Sequence, residues 1–281
     1  MTEHPTDHDP GLRVQEDGAV VRVTLARPDR LIPLDDALRV ALASLLRDLE
    51  DRPDMSVLVI AGEGRAFSAG ADLRNTAYPP VAGDWATRRH RTGTWQRLLE
   101  QLDRIPQATV ARLHGHVIGG AALLAAACDV RVASTDTVLR IPELALGIPL
   151  TWAGIPLLVR EVGLPLARDW VMTGRAVDAD ELQRAGFAQR LAPPDRLDEA
   201  VEQCVAELVA MPAAPLAMAR SMFAAIGRTH PAMVAGWGDA DHQQWAFTEP
   251  EYRDAARRYI EARSPRPTGP PTGGPAAGRS G

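Results

Sequence analysis

Glu143 is the first residue whose setting asks for a chemical explanation. It lies in Leu139-Arg140-Ile141-Pro142-Glu143-Leu144-Ala145-Leu146, an apolar stretch with a proline directly before the acid. Burial would raise such a carboxyl towards the range useful for moving protons. Upstream, Gly119-Gly120 precedes Ala121-Ala122-Leu123-Leu124-Ala125-Ala126-Ala127, a run that reads as a buried helix starting at the glycine pair. Two glycines at a helix mouth let a ligand approach the backbone. The N–H groups there have no intrahelical partner, and the helix end adds partial positive charge. A second loop, Gly70-Ala71-Asp72, offers N–H donors of the same kind. Two donor loops and one buried acid suit a reaction in which negative charge develops on an oxygen while a proton moves.

Three other motifs compete with this reading and fall short of it. Gly62-Glu63-Gly64 follows an apolar strand, but the third glycine of a dinucleotide fingerprint would fall at Phe67, and an open loop rather than a helix is expected next. Phe67-Ser68-Ala69-Gly70 is similar to a nucleophile elbow, yet Ala66 stands where that motif has glycine. His230 and His242, which could serve such a serine as base, lie among polar helical residues. His114 and His116 are spaced to share a strand face, but no third residue of a suitable type follows to complete a metal site, so no metal is expected.

The elements that must carry these residues follow from periodicity. Residues 1 to about 13 read as disordered, and Val21, Val23 and Leu25 alternate on one strand face. The turn Arg27-Pro28-Asp29-Arg30 leads to Asp35, a suitable N-cap for a helix to about Asp51 with Leu38, Leu42, Leu45 and Leu49 on one stripe. Val57 to Ala61 is a continuous apolar run of the kind buried on both faces in a parallel sheet. A polar loop over 74–94 leads to a helix to about Arg104, then a strand over Ala108 to Leu113 and a turn through His114-Gly115-His116. Short strands are expected at Asp129 to Ala133 and Val138 to Arg140.

Beyond Leu150 helices dominate, over residues 152–162, 165–173, 178–185, 196–211, 215–226 and 249–263, with one strand at Ala188 to Leu191. Strands separated by helices argue an α/β core. The expected organisation is a disordered segment 1–13, a core 14–200, a C-terminal helical region 201–263 and a disordered Pro/Gly-rich tail 264–281.

Composition narrows the function classes. A net charge of -5 on 281 residues gives no basic footprint for nucleic acid, and the arginines are scattered. The start of the chain is polar and acidic, unlike a signal peptide, and no apolar run approaches the roughly 20 residues that span a membrane. The two cysteines, Cys128 and Cys204, lie in separate apolar helical contexts and form no CxxC pair. A cytoplasmic enzyme or binding protein is the expected class.

Taken together, the segments AFSAGADL, HGHVIGGAALLAAACDVRVAS and PELALGIP resemble the enoyl-CoA hydratase/isomerase (crotonase) superfamily, with likeness running from about Gly18 to Arg263. The resemblance implies an α/β (α+β in some schemes) spiral of ββα units, two sheets flanked by helices, and a helical C-terminal region that forms a homotrimer or a dimer of trimers. It implies an acyl-CoA substrate, with coenzyme A entering as part of that substrate and no permanently bound cofactor. It implies that the N–H groups of Ala71 and Gly120 hold the thioester oxygen and that Glu143 is the acid/base. Arg27, Ala66, Ser68, Ala69, Gly70, Asp72, Leu73, His116, Ile118, Gly119 and Pro142 fall at positions that line the CoA and substrate channel.

One departure bears on the reaction. Hydratases of this superfamily with two glutamates carry the first three residues after the oxyanion-hole glycine, and that position here is Leu123 in GGAAL. A sole glutamate suits an enoyl-CoA isomerase. The alternatives are a one-glutamate hydratase, a specialised C–C bond lyase and a CoA-binding protein without catalysis. The related hydratase-lyases recruit a tyrosine from the C-terminal region, where this chain has Trp237, Trp245 and Tyr252. The stretch GIPLTWAGIP around Trp152 replaces a glycine-rich turn common in the superfamily, so a bulkier wall is expected near the acyl group.

Overall fold

A computed structural model describes residues 10–71, 83–230, 233, 236 and 238–262. The chain opens with β1 (Leu12–Asp17), β2 (Val20–Leu25), α1 (Asp36–Glu50), β3 (Val57–Gly62) and β4 (Ala66–Ser68). Next come α2 (Trp85–Thr92), α3 (Thr94–Leu102), β5 (Ala108–Leu113), β6 (His116–Ile118) and α4 (Gly120–Ala126). β7 (Val130–Ser134), β8 (Val138–Arg140), α5 (Gly154–Thr173), β9 (Ala176–Asp178), α6 (Ala179–Arg184) and β10 (Arg190–Ala192) follow. Four helices close the chain: α7 (Leu197–Val209), α8 (Ala213–Thr229), α9 (Asp239–Thr248) and α10 (Pro250–Glu261).

The strands form two sheets. One has the order β1-β2-β3-β5-β7-β10, parallel from β2 onwards with β1 antiparallel at the edge. The other has the order β4-β6-β8-β9, with β4, β6 and β8 parallel and β9 antiparallel. The expected α/β architecture is therefore present. β3 is buried on both faces as its unbroken apolar run implies: Leu58 and Ile60 join the main core, Val57 and Val59 a second core under α7.

Local chemistry explains where the elements start. The side chain of Asp35 accepts the Leu38 N–H at 3.0 Å, capping α1. Arg27 grips the same carboxylate through both terminal nitrogens. Burial alone would raise the Asp35 carboxyl, but the bonds from Arg27 and Leu38 outweigh it and hold it below the usual range. α5 breaks at Gly163 (φ 76, ψ 161), two residues before Pro165, as the two separate helical stretches required.

Several elements differ from expectation. β1 takes in Leu12 and Arg13, because pairing with the well-formed β2 organises a segment that lacks an apolar pattern of its own. The loop expected after Gly64 contains β4, and the turn at His114 is followed at once by β6; three-residue strands are too short to show alternation. α2 lies inside the expected polar loop, capped by Asp84, whose side chain accepts the Thr87 N–H at 2.8 Å. In α1 the third inward leucine is Leu46 rather than Leu45, which is only partly buried, a one-position drift natural to 3.6 residues per turn. The expected disorder at 1–9 and 264–281 falls outside the described residues.

Two buried arginines tie the layers together. Arg131 donates to the Cys128 carbonyl at 2.6 Å, to the Phe187 carbonyl, and to Glu161 Oε2 at 2.7 Å. Arg220 on α8 reaches Asp129 Oδ2 at 2.8 Å and the Leu102 carbonyl at 2.8 Å, fixing the C-terminal helices to the sheet. Removing one partner of a buried network strands the others. Arg131→Ala is thus expected to destabilise the fold by about 3–5 kcal/mol, measured by urea unfolding; a loss within about 0.5 kcal/mol would show the network to be dispensable.

Candidate active site

The small sheet builds the site. β4, β6 and β8 run parallel, so the segments leaving their C-terminal ends emerge on one side: Ala69-Gly70-Ala71 after β4, Gly119-Gly120 after β6, and Ile141-Pro142-Glu143 after β8. Crevices at the carboxyl ends of parallel strands are where open α/β sheets place their ligands.

The first two segments touch. A Cβ on Gly70 (φ 80) would lie 2.4 Å from the Ile118 carbonyl oxygen and 3.7 Å from the Gly120 nitrogen. Only glycine permits that approach. Ser68, wholly buried, fixes the turn by donating its hydroxyl to the Ile32 carbonyl at 2.7 Å and accepting the Gly70 N–H at 3.0 Å. The Gly70 carbonyl accepts from Leu34 at 2.9 Å. Gly119, the N-cap of α4 (φ 56, ψ -122), donates its N–H to the Arg140 carbonyl at 2.8 Å. Among the described residues, the N–H groups of Ala71 and Gly120 meet no acceptor.

Glu143 completes the group. A Cβ on Gly119 would lie 2.6 Å from Glu143 Oε1, so the carboxylate rests against that turn. The residue as a whole is half-exposed, but its Oε2 is sealed from solvent with no hydrogen-bond partner. Burial pushes the carboxyl up to about 7, with a bond to its own backbone N–H pulling only weakly the other way. At neutral pH it is poised between donor and acceptor of a proton. The buried Pro142 precedes it as the N-cap of a 3-10 turn, Glu143–Leu146.

Leu123 packs on Gly154, at the start of α5, and Trp152 on Gly120, at the start of α4. Leu123 is 1% exposed and lies over the next turn, since a Cβ on Gly154 would be 2.8 Å from its Cδ1. A Cβ on Gly120 would lie 2.2 Å from Trp152 Cζ3, which places the indole directly against the donor glycine. The bulkier wall expected from GIPLTWAGIP thus stands beside the Gly120 amide.

The remaining expected residues divide. Ala66 is buried in β4, Ala69 and Ile118 are half-buried beside the glycine turns, and His116 is exposed at the start of β6. Arg27 spends its guanidinium on Asp35 and the Pro10 carbonyl, 3.2 Å away. Its side chain is therefore scaffold, and its backbone carbonyl accepts the Arg30 and Ile32 N–H groups at 3.2 and 3.0 Å. Asp72, Leu73 and Trp237 lie outside the described residues. His114 bonds the Gly64 carbonyl at 2.8 Å and Arg112 at 2.9 Å, a structural role. Sequence reasoning missed Trp95, Asp239 and Gln243. Trp95 stacks on Trp152, the Asp239 carboxylate accepts the Ala153 N–H at 2.8 Å, and Gln243 accepts from Thr151 at 3.1 Å. Their partners lie too far along the chain to leave a local signal.

Two touching glycine turns and a carboxylate with a sealed, unbonded Oε2, at the ends of parallel strands, make an arrangement suited to oxyanion chemistry with proton transfer. Residues 15–269 match the family model for enoyl-CoA hydratase/isomerase. A putative enoyl-CoA hydratase from Thermus thermophilus is 31% identical over 89% of this chain and 98% of its own length. Among solved structures, an enoyl-CoA hydratase from Mycobacterium avium subsp. paratuberculosis superposes with a TM-score of 0.79 over 92% of this chain and 99% of that one, at 24% identity. A putative enoyl-CoA hydratase from Thermobifida fusca, in complex with CoA, has a TM-score of 0.72 and 28% identity over 90% of this chain and 93% of that one. The chain belongs to the enoyl-CoA hydratase/isomerase family, a family of acyl-CoA enzymes.

The raised carboxyl of Glu143 has a consequence for stability. Its folded value of about 7 exceeds the ordinary 4.5, so the native state binds the proton more tightly than the unfolded chain. The stabilisation is full below the ordinary value and is lost as pH rises through about 7. Glu143→Gln buries no charge, so its stability relative to wild type should rise by on the order of 3 kcal/mol between about pH 4 and pH 8. Chemical denaturation at the two pH values checks this; a difference that does not change with pH would mean Glu143 is solvated.

Proposed function

We propose that this protein is an acyl-CoA thioester enzyme in which the N–H groups of Ala71 and Gly120 hold the thioester oxygen and Glu143 is the sole acid/base, acting as an enoyl-CoA isomerase. The observations that support the reading are a Glu143 carboxylate whose sealed Oε2 meets no hydrogen-bond partner and an apolar, fully packed Leu123 at the position of the other glutamate. In the proposed reaction the ionised Glu143 removes a proton from C2 of a 3-enoyl thioester. The electron pair delocalises onto the thioester oxygen, where the two N–H groups stabilise it, each contributing on the order of 3 kcal/mol. Glu143 then returns the proton to C4, and the double bond has moved from C3–C4 to C2–C3. One carboxyl near neutrality both takes and gives the proton, so no second acid is required.

The hydratase names of the curated relatives favour a second reading. Glu143 would then take a proton from water as the oxygen attacks C3 of a 2-enoyl thioester, and give it to C2. Leu123 offers that water no hydrogen bond, which is why we rank this reading second. A C–C bond lyase using a C-terminal tyrosine finds less support. Tyr252 is 6% exposed, its backbone against Gly147 and its ring 5.2 Å from Phe247.

Purified protein incubated separately with a 3-enoyl-CoA and crotonyl-CoA separates the readings by mass and absorbance. The isomerase reading expects conjugation of the first without added water, and a loss of roughly 10²–10⁴ in kcat for Glu143→Gln. Water addition to crotonyl-CoA that depends on Glu143 would instead establish the hydratase. Unchanged turnover in Glu143→Gln would overturn both.

We further propose a homotrimer, alone or paired as a dimer of trimers. Support comes from α8, whose Met218, Met222, Phe223 and Ile226 form one exposed apolar stripe. Light scattering on the purified protein is expected to give a multiple of three chains, and Phe223→Glu with Met222→Lys to shift it towards monomer. A monomeric wild type would sink this assignment. Among the described residues no single helix is long and apolar enough to cross a membrane, in keeping with the proposed cytoplasmic setting.

A further inference from the structure

Trp152 and Ala153 both lie in the left-handed region, with φ 63 and φ 56. Non-glycine residues avoid it, and two in succession cost free energy that the surroundings must offset. The Ala153 N–H donates to the buried Asp239 carboxylate at 2.8 Å, and the Thr151 hydroxyl to Gln243 at 3.1 Å, both from α9. Gly236 lies so close that a Cβ there would be 2.8 Å from the Ala153 Cβ. The turn is over-determined, and what it positions is an indole.

That indole has little freedom. Trp95, itself buried, stacks on it with centroids 4.9 Å apart and planes 13° from parallel. The Cε3–Cζ3–Cη2 edge of Trp152 meets Gly120, while the residue stays half-buried. A thioester oxygen accepting the Gly120 N–H must therefore bring its first acyl carbons into contact with a rigid aromatic wall. A flat acyl group can lie along such a ring and gain aromatic contact. A flexible saturated chain must bend around it and gives up rotamer freedom to do so.

Resting on the acyl-CoA reading of this site, we propose that Trp152 is its specificity-determining residue. It selects thioesters with a flat aryl or conjugated acyl group over those with long saturated chains. Asp239 is a positioning residue that acts through the Ala153 N–H.

Calorimetric binding of benzoyl-CoA, decanoyl-CoA and free CoA tests this without turnover, because neither thioester has a double bond to hydrate or shift at C2–C4 of a chain. Wild type is expected to bind benzoyl-CoA about tenfold more tightly than decanoyl-CoA. Trp152→Gly, which relieves the backbone strain, should lose that preference while binding free CoA as wild type does. Trp152→Phe should keep part of it, and serves if the glycine variant fails to fold. Asp239→Asn should weaken both the preference and the exciton couplet of the Trp95–Trp152 pair in circular dichroism. A preference for decanoyl-CoA in wild type, or a preference unchanged in folded Trp152→Gly, would overturn the proposal while leaving the acyl-CoA reading intact. Failure of wild type to bind any of the three would remove both.

Discussion

The site exists because two chain turns come closer than side chains allow. Gly70 faces the Ile118 carbonyl at a distance a Cβ could not share, and Gly119 and Gly120 leave the same strand end with Glu143 and Trp152 against them. Parallel pairing of β4 with β6 forces the turns together, and missing side chains let them meet. A methyl group on Gly70 would push the two turns apart. Ser68 works to the same end, using its one hydroxyl both to anchor to the Ile32 carbonyl and to hold the Gly70 N–H.

Around this contact the C-terminal helices act as a brace. α10 packs on the 3-10 turn that begins with Glu143; Leu146, Ile148, Ala246, Phe247 and Tyr252 make a small core of their own. Gly147 (φ 78) brings that turn within reach of the Tyr252 backbone. α9 holds the turn bearing Trp152, and Arg220 on α8 ties the helices back to the loop after α3 and to Asp129. The acid lies against Gly119 and the indole against Gly120, and each is steadied by a helix from the last part of the chain. The helical region is thus part of what orders the site.

The relatives show that the backbone plan persists at 24% identity over nearly the whole chain. What a fold of this kind conserves is the placement of strand ends and amides, whereas the choice of reaction rests on the few side chains around them. In the reading proposed above, those are Glu143, Leu123 and Trp152. An apolar Leu123 costs nothing to bury, and burial of the Glu143 carboxylate itself raises its carboxyl to about 7.

Much of this was legible in the residues themselves. The glycine pair ahead of an alanine-rich helix, the acid after a proline in an apolar run and the buried β3 each express a local rule of backbone freedom, propensity or desolvation. α1 was readable to its cap because Asp35 and the leucine stripe are local signals. β4 and β6 were not: three residues carry no period, and these strands are organised by pairing within the small sheet, β4 with β6 and β6 with β8. The meeting of Gly70 with Gly120 and the support of Trp152 by Trp95 and Asp239 were likewise beyond reach, since each joins segments tens of residues apart. Sequence alone determined which groups could do chemistry, because backbone conformation and burial leave marks on neighbouring residues. Only the tertiary structure decided which of them share one space, because that depends on strand pairing and close packing between parts of the chain that carry no record of each other.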